Sequence, residues 1–413
     1  MSPNTNNASV IKSARMNRFL ARSQPSETYK VIDRIVEKRA SGETVISLCA
    51  GEPDFDTPAH ISAAAIDAIR SGYTRYTQVA GLKALRQAVA RKFQEENDIP
   101  THWDETIVCT GGKQVLFNAL SATLNENDEV IIPAPFWVSY PEMVEVCSGK
   151  PIPVPGDKDN AFKLTSGALN GAITPRTKWL ILNSPSNPTG AVYSKAELLN
   201  LAEILRKHPQ VMILSDDIYE HLVFDGLSFH TMAQVAPDLK NRILTMNGVS
   251  KAYAMTGWRI GFGTGPKWLI EAMSKLQGQQ TSGACSISQH AALAALEGPK
   301  TFIDNSKSVF LKRRDVAVKM LNEAPGLSCR TPSGAFYIFA DCTGLLGKTT
   351  PAGKFIETDE DVANALLEEI NVAVVHGSAF GMGPYLRIAY ALDDDSLRRA
   401  CGSIQSFCRS LTG

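Results

Sequence analysis

Between residues 105 and 265 the chain, without any internal sequence repeat, alternates short and continuously apolar runs with stretches of helical spacing. "ETIVCT" (105–110) leads into "GGKQVLFNALSATL". "DEVIIP" (128–133) precedes "FWVSYPEMVEVC", and "KWLILNSP" (178–185) precedes a helix expected from about Ser194. Ser194 suits the N-cap there, and Glu197 three residues on completes a capping box. "VMILSDD" (211–217), "RILTMNG" (242–248) and "WRIGFGTG" (258–265) follow. Apolar runs without polar alternation read as strands buried on both faces. Strands that alternate with helices build a mainly parallel sheet covered on both sides, an α/β fold. Ligands of such sheets bind beyond the carboxyl ends of the strands.

The last hundred residues keep a different rhythm. A long amphipathic helix around 300–323 leads into "SGAFYIFADC", then a helix near 359–370. Short strands follow in "VAVVHGSAF" and "YLRIAYAL", with a final helix from about Asp394. This suggests a smaller α/β domain. A chain of 413 residues also exceeds what one core ordinarily organises. The expected division is a polar extension at 1–15, an N-terminal segment at 16–58 that packs with the small domain through "VISLCAG", a large domain at 59–310 and a small domain at 311–413. The cleft between the two is the expected site.

Composition narrows the function by exclusion. Lys plus Arg (42) equals Asp plus Glu (42), so no charge excess points to nucleic acid or an anionic membrane. No apolar run reaches membrane-spanning length. The polar start carries no signal-peptide pattern, and Met16 offers an alternative start. Eight cysteines without a CxxC pair read as reduced thiols of a cytoplasmic protein. The scattered histidines contain no HExxH, so no metal is expected.

Several polar side chains stand just past the strand ends. Asp216 ends "VMILSD", where an acid needs a cation or donors to meet it. Alone it reads as a structural group, a helix cap or a core ion pair, about as readily as a functional acid. Tyr219 lies three residues on. Asn187, in "NSPSNPTG", reads alone as a turn asparagine. "TGGKQ" (110–114) stands between a strand and a helix, where exposed amides attract a phosphate. It is not a Walker A loop, and "GFGTG" is not a dinucleotide fingerprint. Lys113 in the first loop is either an anion ligand or a solvated helix-start lysine.

Lys251 sits among small residues in "MNGVSKAYAMTGWRIGFGTG" (246–265), with Arg259 eight residues on. A phosphate-bearing aldehyde accounts for the set. The amides of Gly111 and Gly112 and the guanidinium of Arg259 would take the phosphate. Lys251 would form a Schiff base. Asp216 would keep a pyridine nitrogen protonated, making the ring an electron sink. These requirements describe pyridoxal 5'-phosphate. An ordinary surface lysine leaves the small flanking residues and Arg259 unexplained.

Eight motifs in order carry a resemblance: "AGEPDFDTP" (50–58), "RYTQVAGLKALRQA", "GGKQVLFNA", "PAPFWVSYPEM", "NSPSNPTGAVY", "SDDIYEHL", "NGVSKAYAMTGWRIG" and "YLRIAYA". From about Met16 to the last helix the chain resembles the class I, fold-type I pyridoxal-phosphate aminotransferases. It is most similar to bacterial aspartate aminotransferases of the rhizobial type. The resemblance implies an aspartate transaminase working by a ping-pong mechanism as a homodimer with shared sites. It makes Lys251 the Schiff-base lysine and catalytic base, and pairs Asp216 with the pyridine nitrogen. Tyr219 and Asn187 would hydrogen-bond the ring hydroxyl, and Trp137 would stack on the ring. Gly111, Gly112 and Arg259 would hold the phosphate, joined by Tyr76 from the other subunit. Arg387 would clamp the substrate α-carboxylate beside the backbone of Gly51, and Asn187 and Trp137 would also face substrate. Lys113 would meet the distal carboxylate.

Two departures stand out. Relatives often read "SDEIYEH" where this chain has Asp217, with no expected effect on the ring contact. Relatives usually read Lys-Pro-Ser where this chain has Gln24-Pro25-Ser26, which puts prephenate as an acceptor in doubt. Oxaloacetate, 2-oxoglutarate and glyoxylate remain open. The rival enzyme reading is a carbon–sulfur lyase on the same scaffold. A pyridoxal-phosphate-sensing regulator is disfavoured, because too little chain precedes "AGEPDF" for a DNA-binding helix-turn-helix. A dead enzyme kept as a structural protein is disfavoured by the presence of Lys251, Asp216 and Arg387.

Overall fold

The structure is a computed structural model that describes residues 27–413. The expected extension at 1–15, Met16 and Gln24 lie outside the described residues. The elements follow the sequence pattern closely. A short strand, β1 (Ile46–Ser47), comes first. It is followed by β2 (Thr106–Thr110), β3 (Glu129–Ala134), β4 (Lys150–Pro155), β5 (Thr177–Asn183), β6 (Met212–Asp216), β7 (Ile243–Gly248) and β8 (Ile260–Thr264). These last seven form one sheet in the order β2-β8-β7-β6-β5-β3-β4. All its neighbours are parallel except where β8 runs antiparallel to β2 and β7.

Side chains alternate along each strand, so each face of the sheet has its own core. Leu214, Leu244, Ile181 and Trp179 join one apolar cluster. Ile213, Ile243, Leu180 and Phe262 join the other. Trp179 is fully buried, and its indole N–H donates to Thr123 Oγ1 at 2.9 Å, which satisfies the one polar atom that burial would otherwise penalise.

Strand β4 escapes a hydrophobicity pattern because "KPIPVP" carries three prolines. Its place explains them. It is an edge strand that pairs only with β3. Pro151, Pro153 and Pro155 share one parity, so their missing N–H groups all fall on the open edge. Lys150 keeps its donor and bonds Asp128 O at 2.8 Å.

The helix after β5 spans Lys195–Arg206, capped by Ser194 with the reciprocal Glu197 contact in place. The long helix spans Thr301–Asn322. Beyond it come β9 (Ser328–Cys329), β10 (Tyr337–Asp341), β11 (Val372–Ala373), β12 (Val375–His376) and β13 (Tyr385–Ala389). Four of them form an antiparallel sheet in the order β12-β13-β10-β9. "VAVVH" breaks at Val374, and its first half, β11, pairs instead with β1 in parallel. The "VISLCAG" segment is therefore stitched to the C-terminal part. A separate apolar core runs from Phe310 to Cys408 and takes in Leu48, Tyr219, Leu222 and Phe224.

Candidate active site

A cavity of about 420 Å³ opens where the strand ends meet the C-terminal part. Of the residues singled out in the sequence, Gly51, Gly112, Lys113, Trp137, Asn187, Asp216, Tyr219, Lys251, Arg259 and Arg387 all line it. Gly111 is not among the lining residues but packs against the lining Arg259, and Tyr76 stands apart.

The carboxylate comes from the last residue of β6. Asp216 is 3% exposed. It accepts from the Tyr140 hydroxyl at 2.6 Å and from the Ile218 N–H at 3.3 Å. Among the described residues no lysine or arginine forms an ion pair with it. Burial therefore pushes its pKa up to about 6, with the Tyr140 and Ile218 hydrogen bonds and the Lys251 charge opposing the rise. A buried carboxylate with donors but no cation is receptive to a protonated ring nitrogen. The residues present thus fit the pyridine of pyridoxal phosphate.

Lys251 follows β7, half-buried, and its ammonium donates to Gly51 O. Its pKa is pulled down to about 8, chiefly by desolvation; the Glu52 charge opposes the fall, Arg259 and Arg387 add to it, and Asp216 opposes it in turn. An amine held near neutrality can act as nucleophile and base.

The anion-binding corner is built from backbone. Gly111 ends the β2 turn at φ 82°, and the helix Gly112–Thr123 starts behind it, presenting its N-terminal amides. A Cβ on Gly111 would stand 2.2 Å from Arg259 Nη2, so only glycine lets the guanidinium approach. Arg259 itself holds a left-handed φ of 55° and donates to Thr256 O at 2.8 Å. Such strain in a non-glycine residue clusters at binding sites.

On the opposite wall Arg387, 3% exposed, projects from β13. Its Nη2 donates to Cys49 O at 2.6 Å and its Nη1 to Asn187 Oδ1 at 3.2 Å. With that oxygen engaged, the amide nitrogen of Asn187 is left to donate. Asn187 N–H in turn donates to Asn183 Oδ1 at 2.8 Å. Lys113 is exposed at the mouth, donating to Ser139 Oγ at 3.1 Å, with its ammonium 4.8 Å from the Trp137 ring. Desolvation and then Arg259 lower its pKa. Lys113, Lys251, Arg259 and Arg387 face a single cavity that holds one buried carboxylate, a field suited to anions.

Tyr76 does not line this cavity and is 94% exposed. The lining residues not singled out in the sequence include the polar side chains Ser139, Tyr140, Asn183, Ser250 and Tyr337. Tyr140 had a signal, three residues past Trp137 in "FWVSYP" and able to reach the same face of a helix turn. Tyr337 had none, since "AFYIF" reads as an ordinary buried strand. Elsewhere Glu96, Glu220 and His221 bring their polar atoms within 4.8 Å of one another. The ammonium groups of Lys92 and Lys300 pair with those carboxylates, making an ion-pair network.

Fold and site together define an α/β transferase centre built around a phosphate-bearing aldehyde. The chain belongs to the aminotransferases of class I and II, whose family model matches residues 43–404, and with them it is an enzyme that uses pyridoxal 5'-phosphate. It is 57% identical over 389 residues to a probable aspartate/prephenate aminotransferase of Rhizobium leguminosarum bv. phaseoli, covering 94% of this chain and 97% of the relative. It is 52% identical to an aspartate aminotransferase of Rhizobium meliloti (strain 1021), covering 94% of each. Among solved structures, an aspartate aminotransferase from Rhizobium meliloti matches with a TM-score of 0.94 at 50% identity, over 96% of this chain and 100% of that one. The Thermus thermophilus aspartate aminotransferase with maleate matches with a TM-score of 0.89 at 39% identity, over 95% and 99%.

Proposed function

We propose that this chain moves the amino group of L-aspartate, or of another dicarboxylic amino acid, to a 2-oxo acid by a ping-pong mechanism. The observation that carries this reading is one cavity in which Lys251, Asp216 and Arg387 converge beside the cation Lys113. The relatives' names point to aspartate, and the Thermus neighbour was solved with maleate, itself a dicarboxylate. When bound, pyridoxal phosphate supplies an aldehyde carbon that carries the amino group and a ring that spreads the charge left by the lost α-proton.

The residues divide the remaining work. Asp216 would hold the ring nitrogen protonated, and Tyr140 keeps that carboxylate oriented. Gly111, Gly112 and Arg259 would hold the phosphate. Trp137 would stack on the ring, and Tyr219 and Asn187 would donate to its oxygen. Arg387 binds the α-carboxylate beside Gly51, which directs the Cα–H bond toward Lys251. Lys251 Nζ takes that proton and returns it. Lys113 receives the distal carboxylate, and Asn187 and Trp137 bound the substrate side.

We further propose a homodimer in which Tyr76 reaches the partner's phosphate corner, a reading supported by its exposure as a large aromatic. Residues 59–310 form the cofactor-binding domain and 311–413 the small domain, with the described part of the N-terminal segment, 27–58, packed against it, supported by the separate apolar cores. Among the described residues no helix is long and apolar enough to cross a membrane. The free cysteines favour a reducing cytoplasm. Prephenate is the acceptor that two relatives' names add. Initial rates with L-aspartate against 2-oxoglutarate, oxaloacetate, glyoxylate and prephenate test the reading. Parallel double-reciprocal lines with at least one acceptor support it. Release of ammonia and a 2-oxo acid from a sulfur amino acid, without transfer, would put the carbon–sulfur lyase in its place.

A further inference from the structure

Tyr337 opens β10 in register with Ala389 of β13, and its ring is fully buried. Phe336 and Tyr219 pack against it at 4.7 and 5.8 Å between centroids. A phenylalanine would fill this space equally well, so packing does not account for the hydroxyl. A buried hydroxyl needs a partner. Tyr337 Oη has one, Tyr219 Oη at 2.7 Å, and it reaches the cavity wall there. The space is reserved for it, because a Cβ on Gly51 would stand 2.9 Å from this oxygen. Arg387 lies 4.9 Å from the Tyr337 ring.

Resting on the reading that Tyr219 donates to the cofactor's ring oxygen, we propose that Tyr337 is a positioning residue that sets how strongly Tyr219 donates. Tyr219 has one O–H to give. If it gives that hydrogen to the ring oxygen, its own lone pairs can accept from Tyr337. Each hydrogen bond in such a chain polarises the next. Burial raises the Tyr337 pKa and keeps its proton in place to be donated, while the Arg387 cation opposes that rise and strengthens the O–H as a donor at the head of the chain. Tyr337 thereby stabilises negative charge on the ring oxygen without touching it. The charged and titratable groups that face this pair are Arg387 from β13, Asp216 at the end of β6, Lys251 after β7 and Glu52 after β1.

The readout is the proton shared by the cofactor's ring oxygen and the Lys251 nitrogen, whose loss with rising pH changes the visible absorbance of the loaded protein. Less stabilisation of the oxygen's charge holds that proton to higher pH. Tyr337→Phe removes one buried oxygen and keeps the ring beside Phe336. It is expected to raise the absorbance midpoint by about 0.3 to 1 pH unit. Tyr219→Phe is expected to raise it by about 1 to 2 pH units, the scale of a hydrogen bond to a charged group. The double variant should match Tyr219→Phe alone, because Tyr337 acts only through Tyr219. An unmoved midpoint in Tyr337→Phe, with Tyr219→Phe shifted, would overturn the proposal and leave the Tyr219 reading standing. Unmoved midpoints in both would overturn the two together. Additive shifts in the double variant would also overturn it, since Tyr337 would then act on the cofactor by another route.

Discussion

Replacing Asp216 with asparagine is expected to stabilise the cofactor-free protein while abolishing the loaded enzyme's activity. The stability argument is local. Asp216 is buried at the end of β6, with hydrogen-bond donors but no ion-pair partner among the described residues. Burial raises its pKa from 3.8 to about 6. For an acid raised in this way, the folded protein binds the proton more tightly than the unfolded chain. Its contribution is fully present below the unfolded value and is lost as pH rises through 6. The loss amounts to roughly 3 kcal/mol at about 1.4 kcal/mol per pH unit. Asparagine has no charge to desolvate, and its Oδ1 can still accept from Tyr140. Urea unfolding of the cofactor-free variant and wild type is therefore expected to diverge between pH 4 and pH 8. The variant should gain up to about 3 kcal/mol at pH 8 and little at pH 4. Equal stability across that range, or a variant weaker at pH 8, would refute the reasoning and make Asp216 part of a structural ion pair. The function is expected to pay for the gain: pyridoxal phosphate lacking a protonated ring nitrogen is a poor electron sink.

Further outcomes follow from the same site. Arg387→Lys cannot keep the bonds to Cys49 O and Asn187 Oδ1 and also present a bidentate fork, so kcat/KM for aspartate should fall about 100- to 1,000-fold, measured by initial rates. Lys113→Ala is expected to raise KM for aspartate roughly 10-fold and leave KM for phenylalanine unchanged. Mixing Lys251→Ala and Tyr76→Ala chains under conditions that exchange subunits should restore activity, because one site of the hybrid combines an intact Lys251 with an intact Tyr76. No recovery in verified hybrids would remove Tyr76 from the shared site.

The strands that carry the chemistry were readable because they are buried on both faces. "VMILSD", "RILTMNG" and "KWLILN" have no polar alternation, and Asp216 is conspicuous as the acid at the end of one of them. Lys251 and Arg259 were legible from the bareness of the backbone around them, and Gly111 from its place between a strand and a helix start; that Arg259 fills the space a side chain there would need shows only in the fold. Strand β4 was hidden by its prolines, which an edge tolerates and a central strand does not. Tyr337 was hidden because its role lies in one oxygen on a ring that otherwise packs like Phe336. Asn183 and Tyr140 act on Asn187 and Asp216 across 4 and 76 residues of chain, and only the folded loops show those pairings.

The most direct test is a half-reaction followed by absorbance. The purified protein, loaded with pyridoxal phosphate, would be mixed separately with L-aspartate, L-glutamate, glycine and L-phenylalanine, with no oxo acid present. The account predicts loss of the visible band and growth of the pyridoxamine phosphate band with aspartate, reversed when a 2-oxo acid is added. A visible band that persists with every dicarboxylic amino acid would contradict it.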